Sequence, residues 1–175
     1  MKIHHISTEE LSSLAPTLNA GDKVFLSGTV YTARDAAHKK IFELIDNGSQ
    51  LPFPLSGSTI YYAGPTPTPD NMAIGSCGPT TSTRMDSFAP KLYDMGVTCT
   101  IGKGERQPAV IDAIVRNSAI YLCAIGGAGA LAAECITECD VIALPELGCE
   151  SVKRLSFKNF PLFVGIDSKG NKIFR

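Results

Sequence analysis

The sequence lacks tryptophan, has few aromatic or charged residues, and contains no long apolar run. Aromatic residues make up 7% of the 175 residues, and charged residues make up 19%. The balance of 16 Lys and Arg against 17 Asp and Glu leaves a formal net charge of −1, without the basic footprint of a nucleic-acid binder. No apolar stretch reaches the roughly 18 residues of a membrane-spanning helix. We therefore expect neither nucleic acid nor membrane as a partner.

Cysteine and histidine are present, but not at the spacing of a metal site. No two of the six cysteines form a CxxC pair, and Cys99 and Cys123 fall in apolar, strand-like runs. Cys135 and Cys139 are one helical turn apart without further ligands nearby. Residues 1–6 contain no apolar run of signal-peptide length. We interpret the thiols as small buried side chains of a reduced, cytoplasmic protein and expect no metal ligand in this chain.

The order of apolar patterns predicts one α/β domain over residues 1–175. An apolar content of 44% is enough for a compact core. Residues 1–20 are interpreted as an N-terminal extension with a short helix at 7–14. The predicted strands are 24–28, 58–63, 72–75, 97–101, 119–125, 141–144, 152–157 and 162–166. The predicted helices are 33–46, 83–95, 108–117 and 130–135. This alternation favours a sheet of mixed rather than purely parallel strands, flanked by helices.

Two arginines fall in the predicted first turns of helices, where the helix dipole disfavours a cation. Residues 32–35 (TARD) and 83–86 (TRMD) both have the Thr-x-x-Asp form that predicts Thr32 and Thr83 as N-caps. A cation there loses about 0.3–1 kcal/mol, and a bound anion would remove that penalty at Arg34 and Arg84. The alternative is that each arginine points into solvent.

Three further observations favour an anion site. Lys103 lies between two glycines after a predicted strand, so it supplies a third cation. All three cations follow the carboxyl end of a predicted strand, where open α/β sheets bind ligands. Thr80 and Thr81 begin a run of four hydroxyl-bearing residues that ends beside Arg84. This combination suits a small polyanion, since arginine can hold a carboxylate through two hydrogen bonds.

A dinucleotide site is the competing interpretation of the glycine cluster. Residues 127–132 (GAGALA) match G-x-G-x-x-A between a predicted strand and a helix. Only 46 residues follow Gly129, and the acidic residue expected about 20 positions later is not clearly placed, with Glu146 and Glu150 the nearest candidates. A tight turn with close helix packing explains the glycines adequately. The sequence also contains no nucleophile elbow, paired-carboxylate motif or metal cage, which argues for a cofactor on a partner chain.

Five ordered blocks of residues resemble one family. The blocks are residues 26–39 (LSGTVYTARDAAHK), 62–67 (YAGPTP), 75–86 (GSCGPTTSTRMD), 101–104 (IGKG) and 124–128 (AIGGA). They are similar to successive signatures of the β subunit of class I fumarases and L-tartrate dehydratases. The resemblance extends over nearly the whole chain from about Gly21. It implies that the glycine cluster has a structural role and is not a dinucleotide site.

The resemblance implies an iron–sulfur hydro-lyase divided between two chains. An α subunit would carry a four-iron four-sulfur cluster, and this chain would close over it as a swivelling β/β/α domain, in a complex of two αβ pairs. Arg34, Arg84 and Lys103 resemble the residues that hold the dicarboxylate, and Thr81 is grouped with them as substrate-binding. Thr80 resembles the proposed catalytic base. An aspartate of the α subunit would have to assist it, because an isolated threonine hydroxyl is a poor base.

Two residues depart from the family pattern, and several functions stay open. Cys77 stands where relatives often have alanine, and Thr83 stands where they often have glycine, which affects the expected geometry at Arg84. The expected reaction is the reversible hydration of fumarate to (S)-malate. The alternatives are the dehydration of L(+)-tartrate to oxaloacetate, a stand-alone anion- or nucleotide-binding module, and a structural or regulatory subunit.

Overall fold

The computed structural model describes residues 1–174, which form a seven-stranded mixed sheet with helices. The strands are β1 (Ile3–Ser7), β2 (Lys23–Thr32), β3 (Thr59–Tyr61), β4 (Cys99–Gly102), β5 (Ile120–Cys123), β6 (Ile136–Ala143) and β7 (Val152–Ile166). The helices are α1 (Leu11–Leu14), α2 (Asp35–Asp46), α3 (Ala89–Asp94), α4 (Pro108–Arg116) and α5 (Gly129–Glu134). Three 3-10 turns cover Ala15–Thr17, Ser82–Met85 and Pro145–Glu150. None of these helices has the length and apolarity to cross a membrane.

The two longest strands close the sheet into a barrel-like ring. Strands β1 to β5 lie side by side and parallel in sequence order. Strand β7 runs antiparallel to β2, β5 and β6, so the ring closes through β2, β3, β4, β5 and β7. A bulge in the β2–β7 pair lies next to Gly28, whose φ of +109° suits glycine. A Cβ at Gly28 would overlap the Thr8 hydroxyl.

The two faces of the ring strands form different parts of the core. In β3, Tyr61 joins the largest apolar cluster, which draws side chains from β2, β4, β5 and β7. Ile60 points the other way and packs with α2 residues Ala37 and Ile41. This alternation follows from the two-residue period of a strand. It places α2 on the outer face of the ring, whereas α1 and α5 contribute Leu11, Ala132 and Ala133 to the cluster that contains Tyr61. Full burial of a leucine such as Leu122 contributes about 1.5–3 kcal/mol.

The predicted α/β class with mixed strands is confirmed, and the helices predicted at 33–46 and 108–117 are present within two residues at each end. Several local predictions are wrong. The helix predicted at 7–14 covers only Leu11–Leu14, and the strand predicted at 141–144 is instead β6 over Ile136–Ala143. Residues 3–7 form an edge strand, and residues 72–75 form no strand. The segment 83–95 divides into a 3-10 turn and α3, because Pro90 fits only the first turn of a helix.

The C-terminal strand is also longer than predicted. Residues 152–166 are one continuous strand, although Asn159 and Pro161 predict an interruption. Asn159 takes a positive φ of 51° inside the bulge, where its N–H donates to the Ser27 hydroxyl at 2.9 Å. The bulge therefore absorbs the turn-forming residue without ending the strand.

Candidate functional site

The predicted site residues lie in loops that leave the carboxyl ends of adjacent parallel strands. Arg34 follows β2, Lys103 follows β4, and Thr80 lies in a long segment that returns beside the end of β3. Because these strands are parallel neighbours, the three loops leave the same edge of the sheet.

Thr80 and Thr81 lie directly alongside Lys103. The Thr80 N–H donates to the carbonyl of Tyr62 at 2.6 Å, and the Lys103 N–H donates to the carbonyl of Thr80 at 3.3 Å. The Thr81 and Lys103 main chains form a parallel bridge, which continues as the Ser82 N–H donates to Lys103 at 2.9 Å. The main chain is therefore fixed on both sides, while the Thr81 side chain is exposed.

Gly102 permits the close approach of the Lys103 loop to the segment that carries Thr80 and Thr81. A Cβ at this position would overlap the Ser82 hydroxyl and lie 2.9 Å from a ring carbon of Tyr62. The Ser82 hydroxyl has its own role, because it is 2.8 Å from the Tyr121 hydroxyl, which donates to the carbonyl of Gly104 at 2.9 Å. The loop that carries Lys103 is thus fixed to the threonine segment by buried hydroxyl groups.

Arg84 is held by an acidic side chain of the neighbouring loop. Its Nε and Nη2 donate to the two carboxylate oxygens of Asp35 at 3.1 and 2.6 Å. The pair joins the 3-10 turn to the start of α2 and leaves Arg84 about half exposed. Since Asp35 occupies one edge of the guanidinium, a ligand would have to use Nη1 or displace the aspartate.

The capping argument for the two arginines is wrong. Thr32 is the last residue of β2, and its hydroxyl donates to Ser151 rather than capping α2. Arg34 itself is the N-cap residue of α2. Thr83 is inside the Ser82–Met85 turn, which is too short to have a helix dipole of consequence at Arg84. The two arginines are close to the predicted site because of the loops and their ion pairs, and not because of helix ends.

Arg34 is packed more tightly than Arg84. Its Nε lies 3.2 Å from the Oε1 of Glu150, and both side chains are mostly buried. Gly64 is adjacent, since a Cβ there would lie 2.8 Å from Nη1. The carbonyl of Arg34 accepts hydrogen bonds of 2.8 Å from both the N–H and the Nδ1 of His38.

Lys103 has a different environment. Within residues 1–174 its ammonium group makes no ion pair with an acidic side chain. Its stem lies against Gly126, where a Cβ would be 3.4 Å from Cδ. The glycine cluster therefore forms one wall beside Lys103.

Two buried groups, the Arg106–Asp86 pair and His38, support the site. Arg106 is fully buried and donates to Asp86 at 2.6 Å, and Asp86 also accepts the Gln107 N–H at 2.7 Å. His38 is completely buried, and burial lowers its pKa to about 4, so its imidazole is neutral at pH 7. His38 and Asp86 both lie in residue blocks noted above, but those blocks give no signal for the Arg106–Asp86 ion pair.

The glycine cluster does not form a dinucleotide fold in the described residues. The parallel strands run in sequence order without the reversal that creates the nucleotide crevice. Helix α5 is six residues long. Gly129 packs against Gly78, and its carbonyl accepts the Cys77 N–H at 3.0 Å. Close packing is thus the role that the structure gives these glycines.

The cysteines do not fit an iron–sulfur cluster. Cluster ligation requires thiolates. Burial raises the pKa of Cys77 to about 12 and of Cys123 to about 11, and it also raises that of Cys99. Between residues 1 and 174, no three His, Cys, Asp or Glu side chains are grouped to hold a metal ion.

Comparison with known proteins identifies the family. The family model described as "Fumarase C-terminus" matches residues 2–175. The chain belongs to this fumarase C-terminal family. It is 44% identical over 88% of its length to "Fumarate hydratase 2" of Leishmania major, and 41% identical over 87% to "Fumarate hydratase class I, anaerobic" of Escherichia coli. The resemblance noted in the sequence is confirmed at this level.

The relatives differ in how much of their length this family accounts for. The chain spans 28% of the length of each of those two fumarate hydratases. It spans 84% of "Putative L(+)-tartrate dehydratase subunit beta" of Methanocaldococcus jannaschii, at 40% identity over 90% of its own length. The family thus occurs both as part of a long chain and as most of a short one.

Proposed function

We propose that the chain is the dicarboxylate-binding half of a two-chain hydro-lyase that interconverts fumarate and (S)-malate. The observation that carries this proposal is the arrangement of Arg34, Arg84 and Lys103 with Thr80 in loops at one sheet edge of a fumarase family member. Three cations carried by neighbouring loops suit a substrate with two carboxylates.

The cations have a catalytic as well as a binding role in this proposal. Abstraction of the proton next to a carboxylate develops further negative charge on that carboxylate. Arg34, Arg84 and Lys103 stabilise this charge more strongly in the transition state than in the ground state. Closure of a partner chain over the exposed surface would exclude water and strengthen these interactions.

Thr80 is the proposed base. Its main chain is fixed by Tyr62 and Lys103, and among residues 1–174 its hydroxyl has no hydrogen-bond partner that would compete with substrate. Lys103 lies in the neighbouring loop after β4, and its N–H donates to the Thr80 carbonyl. A carboxylate from the partner chain would have to accept the proton, as noted above.

The second candidate reaction is the dehydration of L(+)-tartrate. It is favoured by the match to the short chain from Methanocaldococcus jannaschii, most of whose length this chain covers. The two reactions are distinguished by kcat/KM of the assembled enzyme for malate and for tartrate.

The partner and the cluster complete the proposal. An α subunit would hold the iron–sulfur cluster, which supplies Lewis-acid activation of the leaving hydroxyl. We propose two αβ pairs, which measurement of the complex mass would test. Free thiols at all six cysteines fit a reducing compartment, and we propose the cytoplasm.

Anaerobic conversion of malate to fumarate tests the proposal. The assay compares this chain alone, the cluster-bearing partner alone, and their mixture. Activity in the mixture alone supports the two-chain hydro-lyase. Alanine at Arg34, Thr80, Arg84 or Lys103 should then lower kcat/KM by about 10- to 100-fold, since each removes a charge-assisted hydrogen bond or the base.

Lys91→Ala is the matched control, because Lys91 is an exposed cation on α3 whose ammonium group contacts Asp46 and the Phe42 ring. It should leave kcat/KM unchanged. Intact activity in all four site variants would instead indicate a structural or regulatory subunit. A mixture that is inactive with both malate and tartrate, together with a thermal shift of this chain by malate or NAD, would indicate a binding module.

A further inference from the structure

The turn before β7 brings an acidic residue to Arg34. The 3-10 turn Pro145–Glu150 connects β6 to β7, and positive φ angles at Leu144 and Gly148 reverse the chain around it. Glu150, at its end, is the one carboxylate within 4 Å of the Arg34 guanidinium among residues 1–174. The sequence motifs contain no signal for this pair, because the two residues are far apart in the chain.

A buried lysine fixes the turn. The ammonium of Lys153 lies 3.3, 3.1 and 3.2 Å from the carbonyls of Gly148, Cys149 and Ser151, and it donates to the Ser151 hydroxyl at 2.7 Å. Lys153 is 7% exposed and pairs with no carboxylate in the described chain. Its charge is therefore satisfied by the backbone carbonyls of the turn, which it draws together.

The same turn is attached to the end of β2. The Thr32 hydroxyl donates to the Ser151 carbonyl at 3.3 Å and accepts the Lys153 N–H at 3.0 Å. Thr32 is two residues before Arg34. Both the backbone that carries Arg34 and the turn that carries Glu150 are thus fixed to one buried hydroxyl.

The contacts of Arg34 separate its guanidinium into two parts. Glu150 approaches the buried Nε, and the contact is an ion pair without the alignment of a hydrogen bond. Gly64 leaves room for Nη1, because any Cβ there would lie within 2.8 Å of it. Within residues 1–174, Nη1 and Nη2 donate to no acceptor, so they can bind a ligand carboxylate.

We propose that Glu150 is a positioning residue that holds the Arg34 guanidinium by its Nε side and presents Nη1 and Nη2 to a substrate carboxylate. This inference rests on the proposed function of Arg34 as a carboxylate clamp. Without the ion pair, Arg34 rotates more freely and must be ordered when substrate binds. That cost is the same in the ground state and the transition state, so it raises KM and leaves kcat nearly unchanged.

The first test uses the assembled two-chain enzyme. Glu150→Gln keeps the volume of the side chain and removes its charge, and we expect KM for malate to rise about 3- to 10-fold with kcat within twofold. Glu146→Gln, an exposed glutamate of the same turn, is the matched control and should leave both constants unchanged. A KM that is unchanged or lower in Glu150→Gln overturns the inference, since Glu150 then repels or ignores the substrate.

The second test does not require activity. In the full-length chain labelled with 15N, Glu150→Gln should shift the Arg34 Nε–H resonance and speed its exchange with water, whereas Glu146→Gln should not. Arg34→Lys identifies the resonance by removing it. No shift in Glu150→Gln overturns the positioning role. An inactive wild-type mixture with a shifted resonance would contradict the proposed function alone.

Discussion

Loss of the Asp86 charge should destabilise the fold far more than loss of a similar charge at the surface. The side chains of Arg106 and Asp86 are 0% and 2% exposed and 2.6 Å apart, whereas those of Arg154 and Asp140 are 54% and 57% exposed. Asp86→Asn leaves the buried guanidinium without its counter-charge, which costs about 3–5 kcal/mol. Asp140→Asn should cost less than about 1 kcal/mol.

The hydrogen bonds of Asp86 give a reason to expect that Asp86→Asn costs an amount in the upper part of the 3–5 kcal/mol range, that is about 4–5 kcal/mol. Asp86 accepts both the Arg106 Nε and the Gln107 N–H, and an asparagine turns one of these acceptor oxygens into a donor. Arg106 retains only its hydrogen bonds to Thr100 and Tyr62 and its position over two aromatic rings.

Urea unfolding and thermal unfolding of both variants measure the difference. For a domain of this size, about 3–5 kcal/mol corresponds to a fall of about 6–20 °C in Tm. If Asp86→Asn and Asp140→Asn lowered the free energy of unfolding equally, the reasoning on burial would be refuted. An increase in KM for malate in Asp86→Asn is also expected, because the turn anchored by Asp86 carries Arg84.

Three further predictions concern His38, Gly102 and Gly64. His38 has a pKa of about 4 when folded, chiefly because of burial and further because of Arg106, against 6.5 when unfolded. The unfolded chain alone therefore binds this proton between those values, and stability falls by about 3 kcal/mol from pH 6.5 to pH 4. His38→Gln should flatten this part of the Tm–pH curve, and an unchanged slope would contradict the assignment. Gly102→Ala should cost about 1–3 kcal/mol in urea unfolding through overlap with Ser82, and a neutral result would contradict it. Gly64→Ala should raise KM by displacing Arg34 with little change in Tm, and loss of stability alone would refute this.

The sequence predicts those features that depend on local patterns. Helix α2 is read from its apolar spacing, and the cations after successive strands predict that Arg34 and Lys103 share one edge. Both predictions use only the direction of parallel strands and the helical period.

Features that depend on distant pairing are not predictable in this way. Strand β1 has no distinctive pattern, and it forms because β2 offers an edge. The partners of the two arginines, Asp35 and Glu150, are brought to them by tertiary structure, so the dipole argument gives an incorrect reason for singling out these residues. Strand β7 also contains the turn-forming residues Asn159 and Pro161. Whether they interrupt the strand depends on its pairing with β2, which local patterns do not show.

The ring closure has a consequence for the order of folding. Strand β2 pairs with β7 across a long stretch of chain, and the paired residues Val24 and Leu162 are 138 positions apart. During synthesis, the loops that carry Arg34 and Lys103 therefore have no closed framework until residues near 160 have left the ribosome. Closing so large a loop is slow, and the unpaired edges of β2 and β5 stay open to other chains meanwhile. We expect nascent chains that end before residue 152 to remain protease-sensitive, with protection gained in one step once β7 is complete.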